Sequence, residues 1–398
     1  MDARPIPNPA GDTLQRSRES DEPPGLYIHI PFCLSKCAYC GFYSITDRSE
    51  IPAFRSALHR EMDLYRGWTA SFDTLYIGGG TPSVLPEGDL EGLIIDIQTT
   101  FTIATGAEIT IEANPADIND TLLTSLRRAG VNRLNIGIQS FDDGILALLG
   151  RRHNKKQAEA AVRAARRAGI ENIGIDLIYG LPGQEGVPGQ GMDAWLSTLR
   201  TAVALNPDHL SCYQLTLEEG TPLAERCSRG EVVLPEEALQ ADFFCNTSAF
   251  LEENGYLHYE ISNFARPGRE SRHNRKYWNH ASCLGLGPAA HSFDGRRRWW
   301  NHRSVETYGE DLAVGKPPVA DSELLSDEQL RLEALFLGLR TRRGIHLADF
   351  KNRYGQDLLT EKGKILRKLM EAALVEIRDG FLIPTRAGMA VADSLALI

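Results

Sequence analysis

Cys33, Cys37 and Cys40 form a C-x3-C-x2-C loop that follows directly on an apolar run, Leu26 to Ile30. Thiolates are the usual ligands of iron–sulfur clusters, and spacing this close lets one loop wrap a single cube. Three sulfurs serve three of four irons and leave the fourth open to a small molecule. A structural zinc site asks for four ligands, usually from two close Cys pairs, whereas Cys212, Cys227, Cys245 and Cys283 stand alone. Phe32, Tyr39, Phe42 and Tyr43 flank the loop, and two roles stay open for them: shielding a cluster from water, or ordinary core packing.

Other groups suited to binding recur where apolar runs end. Gly78-Gly79-Gly80-Thr81-Pro82 lets a backbone approach a ligand closely, because glycine has no Cβ. Glu112, Gln139, Arg151 and Asp176 suit hydrogen bonds to ribose, amino and carboxylate groups. Helix capping and rim ion pairs are their competing roles. His273-Asn274-Arg275-Lys276-Tyr277-Trp278 joins an imidazole, a good axial ligand for heme iron, to two flat apolar faces that suit a porphyrin. By composition alone it reads equally as a polar turn before a packed aromatic pair. His209, His258 and His291 are further imidazoles, although a lone His is more often structural.

The elements that position these groups alternate short β-type runs with longer helical patterns, the signature of parallel βα units. Strands are expected at Leu26 to Ile30, Thr74 to Ile77, Glu108 to Glu112, Arg133 to Ile138, Ile173 to Ile178 and His209 to Leu215. Helices are expected at Pro52 to Arg66, Asp120 to Ala129, Lys156 to Ala168 and Met192 to Ala204. Each strand runs into polar or glycine residues at its C-terminal end, and six such ends meeting at one mouth favour a barrel over a doubly wound sheet. The expected fold is therefore α/β, a partial (β/α)6 TIM-like barrel with a small C-terminal winged-helix-like domain. Residues 1–24, with five prolines, read as a flexible tail. Residues 25–310 read as the barrel with an extension, and 325–398 as the second domain. In the latter, helices Asp327 to Arg340, Leu347 to Arg353 and Lys362 to Ala373 precede a hairpin turning at Asp379-Gly380.

Bulk properties narrow the function. A formal charge of -10 and a pI near 5.6 argue against a nucleic-acid partner, and the basic run Arg296 to Arg298 is too short to change that. The near-neutral C-terminal stretch, with 12 Lys and Arg against 10 Asp and Glu, suits packing or docking better than DNA. No run of about 18 apolar residues offers a membrane span. Seven cysteines and a first stretch without secretory character point to metal or redox chemistry in the cytoplasm rather than a disulfide framework.

The cysteine loop after the first strand, followed by Gly78 to Pro82 after the second, resembles the radical S-adenosylmethionine (SAM) superfamily. Gly25-Leu-Tyr-Ile-His-Ile-Pro-Phe-Cys33, Ile175-Asp-Leu-Ile-Tyr-Gly-Leu-Pro182, the segment Leu284 to Phe293 and the C-terminal unit resemble the oxygen-independent coproporphyrinogen III oxidase-like family over about residues 25–398. Two features depart from the oxidase proper: Phe42 stands where it carries a further Cys, and its N-terminal extension is longer than this tail. Both departures are features of the HemW-type heme chaperones, a branch that also carries an H-N-x-x-Y-W motif.

This resemblance implies a 4Fe-4S cluster on Cys33, Cys37 and Cys40. It implies SAM contacts from Tyr27, Tyr39, Gly79, Gly80, Thr81, Glu112, Gln139, Arg151 and Asp176, some of which serve a second SAM in that family. Heme would be held by His273, with Asn274, Tyr277 and Trp278 around it. The implied role is a cytoplasmic carrier that passes heme to apoproteins such as respiratory enzymes, with peripheral contact at the membrane. The alternative is an enzyme that oxidatively decarboxylates coproporphyrinogen III propionates to vinyl groups through a 5'-deoxyadenosyl radical. A radical SAM methyltransferase is the third reading.

Overall fold

The computed structural model describes residues 22–86, 88–184 and 189–395. Its centre is a run of six strands, β1 (Gly25–Ile30), β2 (Phe72–Gly79), β3 (Ile103–Ala113), β4 (Arg133–Gln139), β5 (Asn172–Tyr179) and β6 (His209–Gln214). Each pairs in parallel with the next. Helices Ile51–Leu64, Asp89–Thr100, Asp120–Arg128, Lys155–Arg167 and Met192–Ala204 occupy the connections. Residue chemistry sets their limits. Asn119 and Asn154 cap two of them by accepting from backbone N–H groups, and the left-handed Gly130 and Gly169 follow their ends.

Strand side chains alternate between two faces, and the two faces differ in kind. Leu26, Ile28, Leu75, Ile77, Ile111, Leu134, Ile136, Ile175 and Leu210 are fully buried in the main apolar core with helix residues such as Leu93, Leu126, Val162 and Leu199. Each such side chain contributes about 1.5–3 kcal/mol by leaving water. The other face carries Tyr27, His29, Thr74, Tyr76, Thr110, Glu112, Arg133, Asn135, Asp176, His209 and Ser211, and strand register sets these side by side around one interior.

The barrel is open, as expected. The free edge of β1 takes Cys283–Leu286 in parallel, and that of β6 takes Asn263–Ala265 antiparallel. Antiparallel additions beyond these make one 12-stranded sheet ending in Val319–Leu324 and Leu257–Glu260. The six outer strands were not expected from sequence, because several are only three to five residues long and lack clear alternation.

The C-terminal stretch builds its own apolar core from Leu335, Leu339, Phe350, Leu358, Leu366, Val375 and Leu382. Helices Asp327–Gly338, Leu347–Tyr354 and Gly363–Glu371 accompany a hairpin, Val375–Arg378 with Phe381–Pro384, whose turn residues Asp379 and Gly380 are left-handed. Ile345–His346 adds a third strand to that hairpin. Two arginines of the basic run pair into this stretch, Arg296 with Asp327 and Arg298 with Glu333.

Most of the expected tail, residues 1–21, lies outside the described residues. At its end, buried Lys276 donates to Pro23 O at 2.5 Å and pairs with Glu22 at 3.3 Å. Among the described residues, no helix is long and apolar enough to cross a membrane.

Candidate functional site at the mouth and lumen of the barrel

The C-terminal strand ends carry the cysteine loop at the mouth. Backbone bonds fix its path: Cys33 N–H donates to Ile45 O at 3.0 Å, Ala38 N–H to Leu149 O at 3.0 Å, and Leu223 N–H to Ala38 O at 2.8 Å. The three thiols are free and partly exposed. Burial pushes the Cys40 thiol up, with added repulsion from Cys37 and Cys33, so the three are electrostatic neighbours. Yet among the described residues no three His, Cys, Asp or Glu side chains converge as one ion would require.

The glycine turn sits against this loop. Gly80 and Thr81 continue the ladder past β2 by donating to Ile30 O and Phe32 O, each at 2.8 Å. A Cβ on Gly80 would stand 2.6 Å from Phe32 O, so only glycine permits that approach. Thr81 Oγ1 lies 3.4 Å from Cys33 Sγ, and Arg151 donates to Cys37 Sγ at 3.3 Å and to Gly137 O at 2.5 Å. Gln139, left-handed at φ 71, stands where the β4–β5 register shifts, and its side chain crowds the same Gly137. Tyr39 lies beside Arg151, Cys37 and Asp176, and burial lifts its hydroxyl above the usual range.

Below the mouth, Tyr76 OH donates to Glu112 Oε1 at 2.6 Å and Gly79 N–H to Oε2 at 3.2 Å. Burial raises the Glu112 carboxyl to about 7, against the pull of that tyrosine bond. Asp176 accepts from Asn135 Nδ2 at 2.6 Å and is likewise raised by burial. Tyr27 OH meets His29 Nδ1 at 3.0 Å and lies near Glu112. The residues named for SAM therefore meet around one space. Tyr213 and Tyr277 are 40% and 42% exposed, yet burial lifts both hydroxyls and both sense Glu112. Their exposed area opens on this interior.

The H-N-x-x-Y-W segment lies at the opposite end. Ser271 caps helix Arg272–Trp278, which closes the N-terminal end of the barrel. His273 is 1% exposed. Its Nδ1 meets Thr74 Oγ1 at 2.9 Å, its Nε2 meets Tyr277 OH at 3.0 Å, and its N–H donates to Glu108 at 3.0 Å. Burial, then Lys276 and Arg133, lowers its pKa to about 3. Both ring nitrogens of His273 are engaged by hydroxyls, those of Thr74 and Tyr277. Trp278 lies under Arg340 at 5.7 Å, toward the C-terminal stretch, and Asn274 bonds Ser271 Oγ through its N–H. Of the motif, Tyr277 reaches the lumen, and the His273 ring lies beside the inward-facing Tyr76 and Tyr27.

Among the other imidazoles, His209 and His258 are buried against Tyr259 and Ser248. His291 is exposed and lies nearly parallel to Trp300 at 5.8 Å. Phe32 packs edge-on to Phe54 in the core, and Tyr43 OH accepts from Val305 N–H at 3.0 Å, so both are packing residues. Phe42 is 69% exposed. Tyr76, Arg133 and Asn135 were missed from sequence. Period-two alternation of polar with apolar residues along β2 and β4 is the signal that marks them.

Comparison with known proteins agrees. The Radical SAM superfamily model matches residues 27–186, and the HemN C-terminal domain model matches 325–391. A heme chaperone HemW of Mycobacterium tuberculosis is 37% identical over 333 residues, covering 82% of this chain and 84% of the relative. A heme chaperone HemW of Bacillus subtilis is 34% identical over 366 residues, covering 91% and 95%. The solved structure of coproporphyrinogen III oxidase (HemN) from Escherichia coli, a radical SAM enzyme, is similar with a TM-score of 0.81 and 25% identity, covering 96% of this chain and 91% of that one. On this sequence and fold agreement the chain belongs to the radical SAM superfamily and, within its oxygen-independent coproporphyrinogen III oxidase-like family, to the HemW-type branch.

Proposed function

We propose that this chain is a heme carrier. It receives heme and passes it to acceptor apoproteins, and it holds a SAM-coordinated 4Fe-4S cluster on Cys33, Cys37 and Cys40. The observation that carries this reading is agreement, over more than four-fifths of both chains, with proteins named heme chaperone HemW. The exposed Phe42 beside the loop supports it, since the oxidase proper carries a sulfur there.

When bound, the cluster supplies an electron and an open iron corner for SAM. The chain's own residues position the rest. Arg151 places a positive charge on Cys37, Thr81 holds Cys33, and Glu112 and Asp176 offer acceptors for ribose or amino groups. For heme iron, His291 replaces His273 in this reading, being the exposed imidazole of the four and lying on an aromatic face.

Anaerobic reconstitution with iron and sulfide, then heme titration of wild type, His291→Ala and His273→Ala, tests it. A Soret band in wild type that changes with His291→Ala, with no conversion of coproporphyrinogen III in the presence of SAM and reductant, is the expected result. Stoichiometric conversion of that substrate would establish the oxidase instead.

A further inference from the structure

The barrel holds a cation that the proposed chemistry does not use. Arg133, the first residue of β4, is 1% exposed and points inward. Among the described residues its Nε has no hydrogen-bond partner, and its charge acts on the Glu112 and Asp176 carboxyls only as a lesser pull against the burial that raises both. A guanidinium cannot shed its proton to escape this burial, and an unpaired buried charge carries a penalty of several kcal/mol. Such a group is retained where something else compensates it.

Its surroundings are arranged to meet a ligand. Thr110 Oγ1, Asn135 Oδ1 and His209 Nδ1, inward-facing on β3, β4 and β6, are buried without a protein partner as well. Gly174 makes room for the group: a Cβ there would stand 2.3 Å from Asn135 Oδ1 and 3.3 Å from Arg133 Nη2. The arginine also keeps its neighbours from charging. Burial first and Arg133 second hold His209 well below the usual histidine range, and Arg133 adds to the lowering of His273. The interior around Arg133 therefore has a fixed positive charge, neutral imidazoles and unfilled hydrogen-bonding capacity, and it shares its space with the Glu112 and Asp176 carboxyls, which burial raises and Arg133 pulls down only as a lesser influence. Tyr27 and Tyr76 line the adjoining wall, with Tyr277 rising from the floor.

We propose that Arg133 anchors a carboxylate subsite inside the barrel, taking the acid group of an organic ligand that enters from the mouth. Thr110 and His209 supply neutral hydrogen bonds beside it. Two ligands bring such a group, the propionate of a tetrapyrrole and the methionyl carboxylate of SAM. The porphyrin arm rests on the carrier reading above, and the SAM arm does not.

The test uses matched ligand pairs on cluster-reconstituted full-length protein: heme against its dimethyl ester, and SAM against decarboxylated SAM. One member of each pair lacks the acid. In wild type the acid-bearing member of one pair binds roughly 10- to 100-fold tighter, the range of a charge-assisted hydrogen bond, and Arg133→Met erases that preference. Which pair loses its preference identifies the source. The Tm of ligand-free Arg133→Met stays level or rises, because an uncompensated charge has been replaced by an apolar side chain of similar length. A lower Tm with both preferences intact makes Arg133 a structural residue and overturns the subsite. Should Arg133→Met fail to fold, Arg133→Lys carries the same comparison, keeping the charge without the planar fork. Wild type that binds both members of each pair alike overturns the proposal without any variant. Wild type that binds no heme defeats the carrier reading, while the SAM pair still decides the subsite.

Discussion

The two ends of the barrel carry similar polar residues in opposite conditions. At the mouth, the cysteine thiols are partly exposed, and the contacts of Cys33 and Cys37 with Thr81 and Arg151 are long, single ones. At the floor, His273 has both ring nitrogens and its N–H engaged, and Lys276 is buried between Asp73, Glu22 and Pro23. A group that binds something must keep hydrogen-bonding or ligating capacity in reserve, whereas a group that holds a fold has spent it. The mouth is built to receive and the floor to close.

That contrast breaks if substitutions at the two ends have the same kind of effect. Cys37→Ala has the largest consequence for binding. Iron and labile sulfide after reconstitution fall to background, while chemical unfolding of the unreconstituted protein shifts by only about 1 kcal/mol or less, as for a partly exposed side chain with one weak partner. His273→Ala gives the reverse. It removes a buried ring and strands the Thr74 and Tyr277 hydroxyls, costing about 2–4 kcal/mol in the same unfolding experiment. Iron content and the heme Soret band should match wild type. A His273→Ala protein of full stability with an altered heme spectrum would reverse the assignment of the floor.

Sequence revealed the mouth better than the floor for a physical reason. Close-spaced cysteines and a glycine run carry their chemistry in local spacing, and the strands that present them announce themselves by continuous apolar runs. All six barrel strands were legible in this way; five are extended at one or both ends by one to five residues in the structure, and the sixth stops one residue earlier, at Gln214. The role of His273 depends on Thr74 and Glu108, more than 160 residues away. No local pattern says whether an imidazole will meet such partners. Arg133 was overlooked for a related reason: as the first residue of its strand it reads as a boundary residue until register turns it toward the interior.

Glu112 offers the finest test, because it belongs to the lumen between the two ends. Its carboxyl titrates near 7 in the folded protein and in the ordinary glutamate range when unfolded, with burial as the leading cause. Below the unfolded value both states hold the proton and the group is neutral in its effect on pH dependence. Between that value and 7 only the folded state holds it, so stability declines as pH rises through this window and levels off above it. The carboxylate opens on a water-accessible interior, which limits the decline to about 1 kcal/mol. Glu112→Gln keeps the acceptor for Tyr76 and removes the titration, so unfolding free energies measured from pH 5 to pH 8 should fall less steeply than in wild type. Identical slopes would mean that the lumen hydrates Glu112 as fully as bulk water does, and that the interior is as open as the mouth.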